Sequence, residues 1–334
     1  MQKQDVRTSQ PGWPPVPLRC PRCRERALGL ETVRSYAGPR KPWSGTLACS
    51  GCGEQIALER GVARIVDDED YVDTFGWQWR AFDVVRPEED LRVFCAKVGT
   101  NPSMLRGMSV LDAGCGGGRY SRLVAEHGAC VTGVDRSRAV DAAAALCRRF
   151  SNACFVQADL LELPFADESF DFVFSIGVIH HCPQPQRAFR ELARVVRAGG
   201  TLALWVYRRN TWLQERLNWL ARSWTTRLTR EQLEAFCRFL AVLGAIPALR
   251  VTLNKLLNFS NHPDPVLRVC DNYDWYACRY QFHHTEDEVR GWFEAAGFTD
   301  VRFLPPLKQG TLYRWAYRRN LIIGSGVNVV GRKP

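Results

Sequence analysis

Apolar and polar positions follow two periods along this chain, and the switches between them predict its elements. Four short apolar runs have strand length: Ser109 to Ala113, Cys130 to Val134, Ala153 to Val156, and Phe170 to Ser175. Helical spacing falls between and after them. Tyr120 to Glu126 reads as a helix ending at Gly128, and Arg187 to Val196 sets Ala188, Phe189, Leu192, Val195 and Val196 on one face. Gly199-Gly200 should stop that helix before a fifth strand, Thr201 to Val206. Near the C-terminus, Thr285-Glu286-Asp287-Glu288 has the Thr-x-x-Glu form of a capping box. Val289, Trp292, Phe293 and Ala296 supply the apolar face that follows, Gly297 ends it, and Phe298–Leu304 and Val327–Arg332 read as two last strands. Strands alternating with helices predict an α/β fold.

Composition narrows the class. The chain has 334 residues, 46% hydrophobic and 24% charged, which is a globular balance. Forty-five Lys and Arg against 35 Asp and Glu give a net charge of +10, which directs attention to nucleic acid or an anionic surface as partner. No run approaches the roughly 18 apolar residues of a spanning helix. The longest uncharged apolar stretch, Phe239 to Leu249, has 11 residues and contains Pro247. Met1 to Pro11 is polar, so no secretory leader is expected, and a cytoplasmic location follows. Thirteen cysteines, an odd count, fit a reduced compartment better than a disulfide framework.

Four of those cysteines are paired by spacing. Cys20-Pro-Arg-Cys23 and Cys49-Ser-Gly-Cys52 are two CxxC knuckles with 25 residues between them, the pattern of a zinc ribbon. Four thiolates close a tetrahedral ion and leave no position for water, so a structural zinc is expected on Cys20, Cys23, Cys49 and Cys52. A segment this short builds little core, and metal binding would supply folding free energy. The other nine cysteines show no paired spacing and read as small core residues.

The first strand runs into Gly114-Cys115-Gly116-Gly117-Gly118, and the second closes on Asp135. Glycines let a backbone approach a ligand closely, and an acid after the second strand accepts from ribose hydroxyls. For a dinucleotide the third glycine of GxGxxG should fall on Arg119; instead the order is D-x-G-x-G-x-G, Asp112, Gly114, Gly116, Gly118. That pattern resembles motif I of the class I S-adenosylmethionine-dependent methyltransferases, of the type 11-like kind. The resemblance continues through Ala158-Asp159-Leu160, Leu163-Pro164-Phe165, the fourth strand and Ile179-His180-His181-Cys182-Pro183. It covers about 109–208 and, more weakly, 285–334. It implies a Rossmann-like, mostly parallel sheet with an antiparallel C-terminal strand. It also implies S-adenosyl-L-methionine as cofactor, with Asp112 near its amino acid end, Asp135 on the ribose, and Asp159 with Leu160 at the adenine. Ser175 lies at the carboxyl end of the fourth strand, where such sheets hold ligands. The ribbon, together with Phe75 to Phe82 and Asp274 to Thr285, also resembles methyltransferases with an N-terminal zinc ribbon, often met in glycan or secondary-metabolite biosynthesis.

The expected organisation is a ribbon over 1–68, an aromatic connector or helical cap over 69–108, the methyltransferase domain over 109–208 and 285–334, and a helical insertion over 209–284. In the family an insertion there commonly forms a substrate lid. It is basic: over 208–260 nine Arg and Lys stand against three Glu, a net +6. Trp212, Leu213, Arg216, Leu217, Trp219, Leu220 and Trp224 describe an amphipathic helix. Two placements suit it: Trp and Leu packed on the domain with Arg in solvent, or the helix peripheral on an anionic membrane.

An imidazole titrates near neutrality and suits deprotonation of a hydroxyl or amine, so His180, His181, His283 and His284 are the candidate catalytic residues. Tyr273, Asp274 and Tyr280 lie close to the second pair, and Trp77, Gln78 and Trp79 either line the site or pack the ribbon. The favoured function is methylation of a small-molecule or glycan-precursor acceptor, anionic or membrane-associated. Nucleic acid is the alternative acceptor, as in zinc-ribbon rRNA or tRNA methyltransferases. Against it, Ser175-Ile176-Gly177-Val178 lacks the Asn/Asp-Pro-Pro-aromatic motif of nucleobase amino methylation, and no basic run reaches five. A non-catalytic interaction protein is a third reading.

Overall fold

The computed structural model describes residues 16–34, 44–66, 72, 78, 85–246, 256–305 and 326–334. Trp77 and Trp79, with the rest of Phe75 to Phe82 apart from Gln78, lie outside these, as do Arg250 and Lys255 of the insertion.

Four N-terminal strands, β1 (Leu28–Arg34), β2 (Ser44–Cys49), β3 (Gln55–Glu59) and β4 (Val62–Arg64), form an antiparallel meander. Helix α1 (Pro87–Val98) follows. The central unit then runs β5 (Ser109–Ala113), α2 (Arg119–Glu126), β6 (Cys130–Asp135), α3 (Ala139–Leu146), β7 (Ala153–Gln157), β8 (Phe170–Ile176), α4 (Pro185–Val195) and β9 (Val196–Tyr207). The insertion contributes α5 (Trp212–Thr225), α6 (Arg230–Ala245) and α7 (Pro265–Ala277). The chain closes with α8 (Glu286–Ala295), β10 (Thr299–Phe303) and β11 (Gly326–Arg332).

All the strands join one sheet, in the order β1-β2-β3-β4-β7-β6-β5-β8-β9-β11-β10. Pairing is parallel from β4 to β9, and β11 runs antiparallel between β9 and β10. The fold is therefore the Rossmann-like α/β sheet with an antiparallel ending that the resemblance implied. Strand order reverses between β5 and β8, and the carboxyl ends there open a crevice for ligands.

The ribbon does not stand apart. β4 pairs in parallel with β7, so the ribbon lengthens the domain's sheet. Val16, Leu18, Leu47, Ile56 and Leu58 share one core with Val156, Phe165 and Phe170. Arg64, almost fully buried, donates to Gln157 at 3.0 Å and pairs with Glu59 and Asp141. The small apolar content of the ribbon is thus supplemented by the domain's core.

The predicted elements recur with small shifts. Thr285 and Glu288 make both bonds of the capping box. One expectation fails: α4 ends at Val195, before the glycine pair, and Gly199-Gly200 falls within β9. A Cβ on Gly200 would lie 2.9 Å from the carbonyl oxygens of Asp171 and Arg197, so close backbone packing requires glycine there.

Candidate active site

The turn after β5 is held by close approaches that only glycine allows. Gly114 has φ +85°, and a Cβ there would lie 2.3 Å from the Val178 side chain, so the loop after β8 can close on it only because the residue is glycine. Gly118 has φ +83° and would set its Cβ 2.7 Å from the Cα of Ala143 on α3. The loop is fixed by Asp135: its Oδ2 accepts from the Gly116 N–H at 2.8 Å, and its Oδ1 from the Ser137 N–H and hydroxyl at 2.8 and 2.7 Å. Burial raises the Asp135 carboxyl above the usual range against these three bonds. Asp112, 3% exposed, accepts from Ser121 Oγ at 2.6 Å. Burial drives it up to about 7, and the Asp135 charge adds to this.

The remaining cofactor candidates are placed differently. Asp159 caps its own turn by accepting from the Leu161 N–H at 2.9 Å, and its other oxygen pairs with Arg136. Leu160 is a core residue beside Ala158 and Leu163. Ser175 is buried and donates to the Ala113 carbonyl at 2.9 Å, which ties β5 to β8 at the point of reversal.

Tertiary structure brings three of the four candidate histidines around one tyrosine. His180 and His181 lie on the 3-10 turn Ile179–His181 just past β8. The His180 ring sits 3.9 Å from that of Tyr207 at the end of β9, and 4.2 Å from that of His181. The strand end and residues 280–284 are joined by backbone bonds from Phe282 N–H to His180 and from His284 N–H to Tyr207, each 2.9 Å. His283 thereby comes to 5.8 Å from Tyr207, and its Nδ1 lies 2.6 Å from a Glu215 oxygen on α5. His284 departs from the group: its ring packs on Trp292 of α8 at 4.7 Å, and its Nδ1 lies 3.5 Å from Glu288.

His181 presents Nδ1 3.0 Å from the Tyr280 carbonyl, and burial pulls its pKa down to about 3. His180 is fully buried, and burial, then its histidine neighbour, holds it well below its ordinary value. Neither of its ring nitrogens has a hydrogen-bond partner among the described residues. A buried imidazole normally satisfies at least one of its nitrogens, so His180 stands out among the four histidines.

Lys97 carried no signal in the linear sequence, and Asp274 and Gln78, singled out there only by their neighbours, gain a definite place. Lys97, on α1, holds its Nζ 3.6 Å above the Trp205 ring, and burial, then Arg119, pulls it down to about 7. Burial pushes Asp274 on α7 up to about 7. The Gln78 amide donates to Asp274 at 2.9 Å and to the Cys270 carbonyl at 3.1 Å, so this connector residue anchors the insertion. No periodicity relates positions 78, 97, 207 and 274; only the fold does.

The Sγ atoms of Cys20, Cys23, Cys49 and Cys52 lie within 4.8 Å of one another, with pairs at 3.5 and 3.6 Å. Zinc–sulfur bonds of about 2.3 Å in a tetrahedron separate sulfurs by about 3.8 Å, so this donor set fits zinc.

Residues 111–204 match the family model described as a methyltransferase domain. Over 108 residues, 32% of this chain and 46% of the other, the sequence is 36% identical to a ubiquinone biosynthesis O-methyltransferase of Coxiella burnetii. Over 109 residues, 31% of this chain and 16% of the other, it is 38% identical to a tRNA (carboxymethyluridine(34)-5-O)-methyltransferase of Xenopus tropicalis. The chain spans less than half the length of these curated relatives. Among solved structures, the magnesium protoporphyrin IX methyltransferase of Synechocystis, with bound S-adenosylhomocysteine, aligns at 18% identity and a TM-score of 0.45, covering 80% of this chain and 98% of that one. Residues 111–204 are thus a methyltransferase domain.

Proposed function

We propose that this chain transfers a methyl group from S-adenosyl-L-methionine to a small-molecule acceptor bound at the carboxyl edge of the sheet, beside Tyr207. One observation carries the reading: a methyltransferase domain whose glycine loop is clamped to Asp135 at the strand reversal. The cofactor's sulfonium supplies an already activated methyl group. The loop glycines Gly114, Gly116 and Gly118 would admit it, Asp135 would hold the ribose and Asp112 the amino acid end. Asp159, Leu160 and Ser175 would shape the pocket wall, Asp159 turning from Arg136 to meet the base.

The acceptor end falls to the histidine group. His180 stays neutral over the working pH range because burial opposes its charge, so either a lone pair or an N–H is available to an acceptor hydroxyl or amine. Tyr207 and His181 fix its ring. The insertion 209–284 would serve as the lid, with Glu215 on His283 joining it to the site. The four-cysteine ribbon would hold a structural zinc and brace β7 through β4.

The test uses the full chain in two steps. Calorimetry should show binding of S-adenosylhomocysteine that Asp135→Ala abolishes; no binding by the unsubstituted chain refutes the reading. Radiolabelled methyl transfer into a small-molecule extract, against total RNA, then separates acceptor classes. A tRNA acceptor, suggested by the Xenopus relative, predicts label in RNA and RNA binding that weakens steeply with salt.

A further inference from the structure

Helix α5 is folded inside out. Its side toward the domain is polar and hydrogen-bonded to it. Gln214 donates to Asn258 Oδ1 at 2.8 Å, and Asn218, buried, accepts from the Asn258 N–H at 3.0 Å. Arg222 donates to the carbonyls of Trp275 and Cys278, each at 2.6 Å, and Thr225 to that of Tyr276 at 3.1 Å. These positions recur every three or four residues, so they form one stripe. The opposite stripe carries Trp212, Leu213, Trp219, Leu220 and Trp224, all between 49% and 74% exposed. Of the two placements the sequence left open, packing of the tryptophans on the domain is thus not the one adopted, and Arg222 turns inward instead. An ordinary surface helix buries its apolar stripe, as neighbouring α6 does with Leu233, Cys237, Leu240 and Ala241.

We infer that the outer face of α5 lies on an anionic lipid bilayer. Arg216 and Ser223 complete that face and Arg227 follows just past the helix end, so it is basic and has no carboxylate; Glu215, the acid of the helix, is turned to His283. Indole rings with flanking arginines suit the boundary between headgroups and acyl chains, where apolar bodies are buried and cations meet phosphate. No helix among the described residues is long and apolar enough to cross a membrane, so the contact is peripheral. A second copy of the chain is a poorer occupant. A twofold contact would press this basic face against an identical basic face, with no carboxylate on either. The docking stands independently of the methyl-transfer reading, because its readout is binding alone.

Co-sedimentation of the full chain with vesicles tests this. Binding is expected to phosphatidylcholine vesicles containing phosphatidylglycerol, weaker binding to phosphatidylcholine alone, and a decline with added salt. The double variant Trp219→Ser, Leu220→Ser removes two exposed apolar side chains and should lower affinity for anionic vesicles by about tenfold or more. Far-UV circular dichroism should be unchanged in that variant, since neither residue is buried. Absence of binding to anionic vesicles at low salt overturns the proposal. So does equal binding by the folded double variant, or equal binding to both vesicle types. A dimer that Trp219→Glu dissociates, without vesicle binding, overturns it in favour of a second copy.

Discussion

Replacing Asp112 by Asn should stabilise the protein at pH 8 and lose that advantage only as pH falls to about 4. The carboxyl is 3% exposed, and burial places its pKa near 7 against an ordinary 3.8. Each unit is worth 1.36 kcal/mol, so the fully ionised group costs the folded state about 4 kcal/mol. The sign follows from proton counting. The folded state keeps this proton to a higher pH than the unfolded state does, so its contribution is complete below about 4 and is lost as pH rises to about 7. Asparagine carries no charge, yet its oxygen still accepts from Ser121, which contacts the carboxylate at 2.6 Å. Urea unfolding of both proteins from pH 5 to 8 should therefore show their difference widening by about 3 kcal/mol in favour of the variant, nearly all of it below pH 7. A difference that stays flat across that range would refute the buried-charge argument. The stabilised variant should also bind S-adenosylhomocysteine more weakly by calorimetry, which fits a charge kept for function at a cost in stability.

Three further outcomes are expected. Asp90, fully buried, joins α1 to α2 through Arg119 Nε at 2.8 Å, so Asp90→Asn removes the ion-pair partner of Arg119, while Arg122 keeps Glu126, and should cost about 3 kcal/mol in urea unfolding. Gly118→Ala sets a Cβ 2.7 Å from the α3 backbone at a positive φ, and should lower stability by about 2 kcal/mol or more in the same assay. Cys20→Ser should lose the zinc that the intact chain retains by metal analysis. Because β4 pairs with β7, the loss should also lower the thermal midpoint of the whole sheet, not of the ribbon alone.

The local sequence determined what local chemistry can determine. The short apolar runs became β5 to β9, Thr285 and Glu288 closed their box, and the paired CxxC spacing brought four sulfurs together. Each of these rests on residues a few positions apart, or on side chains with one chemical use. The Asp112 and glycine pattern likewise marked the loop, because positive φ and close approach leave little choice of residue. The acceptor side was only partly legible: His180, His181 and His283 were visible as residues, but their meeting around Tyr207 depends on chain paths about 100 residues apart. Lys97, Gln78 and Asp274 acquire their character from burial, which the linear chain does not display. Helix α5 shows the division most sharply. Its periodicity announced two unlike faces, but a periodicity has no inside. Which face turned inward was decided by partners elsewhere in the fold, the carbonyls of Trp275, Tyr276 and Cys278 that draw Arg222 and Thr225 toward them.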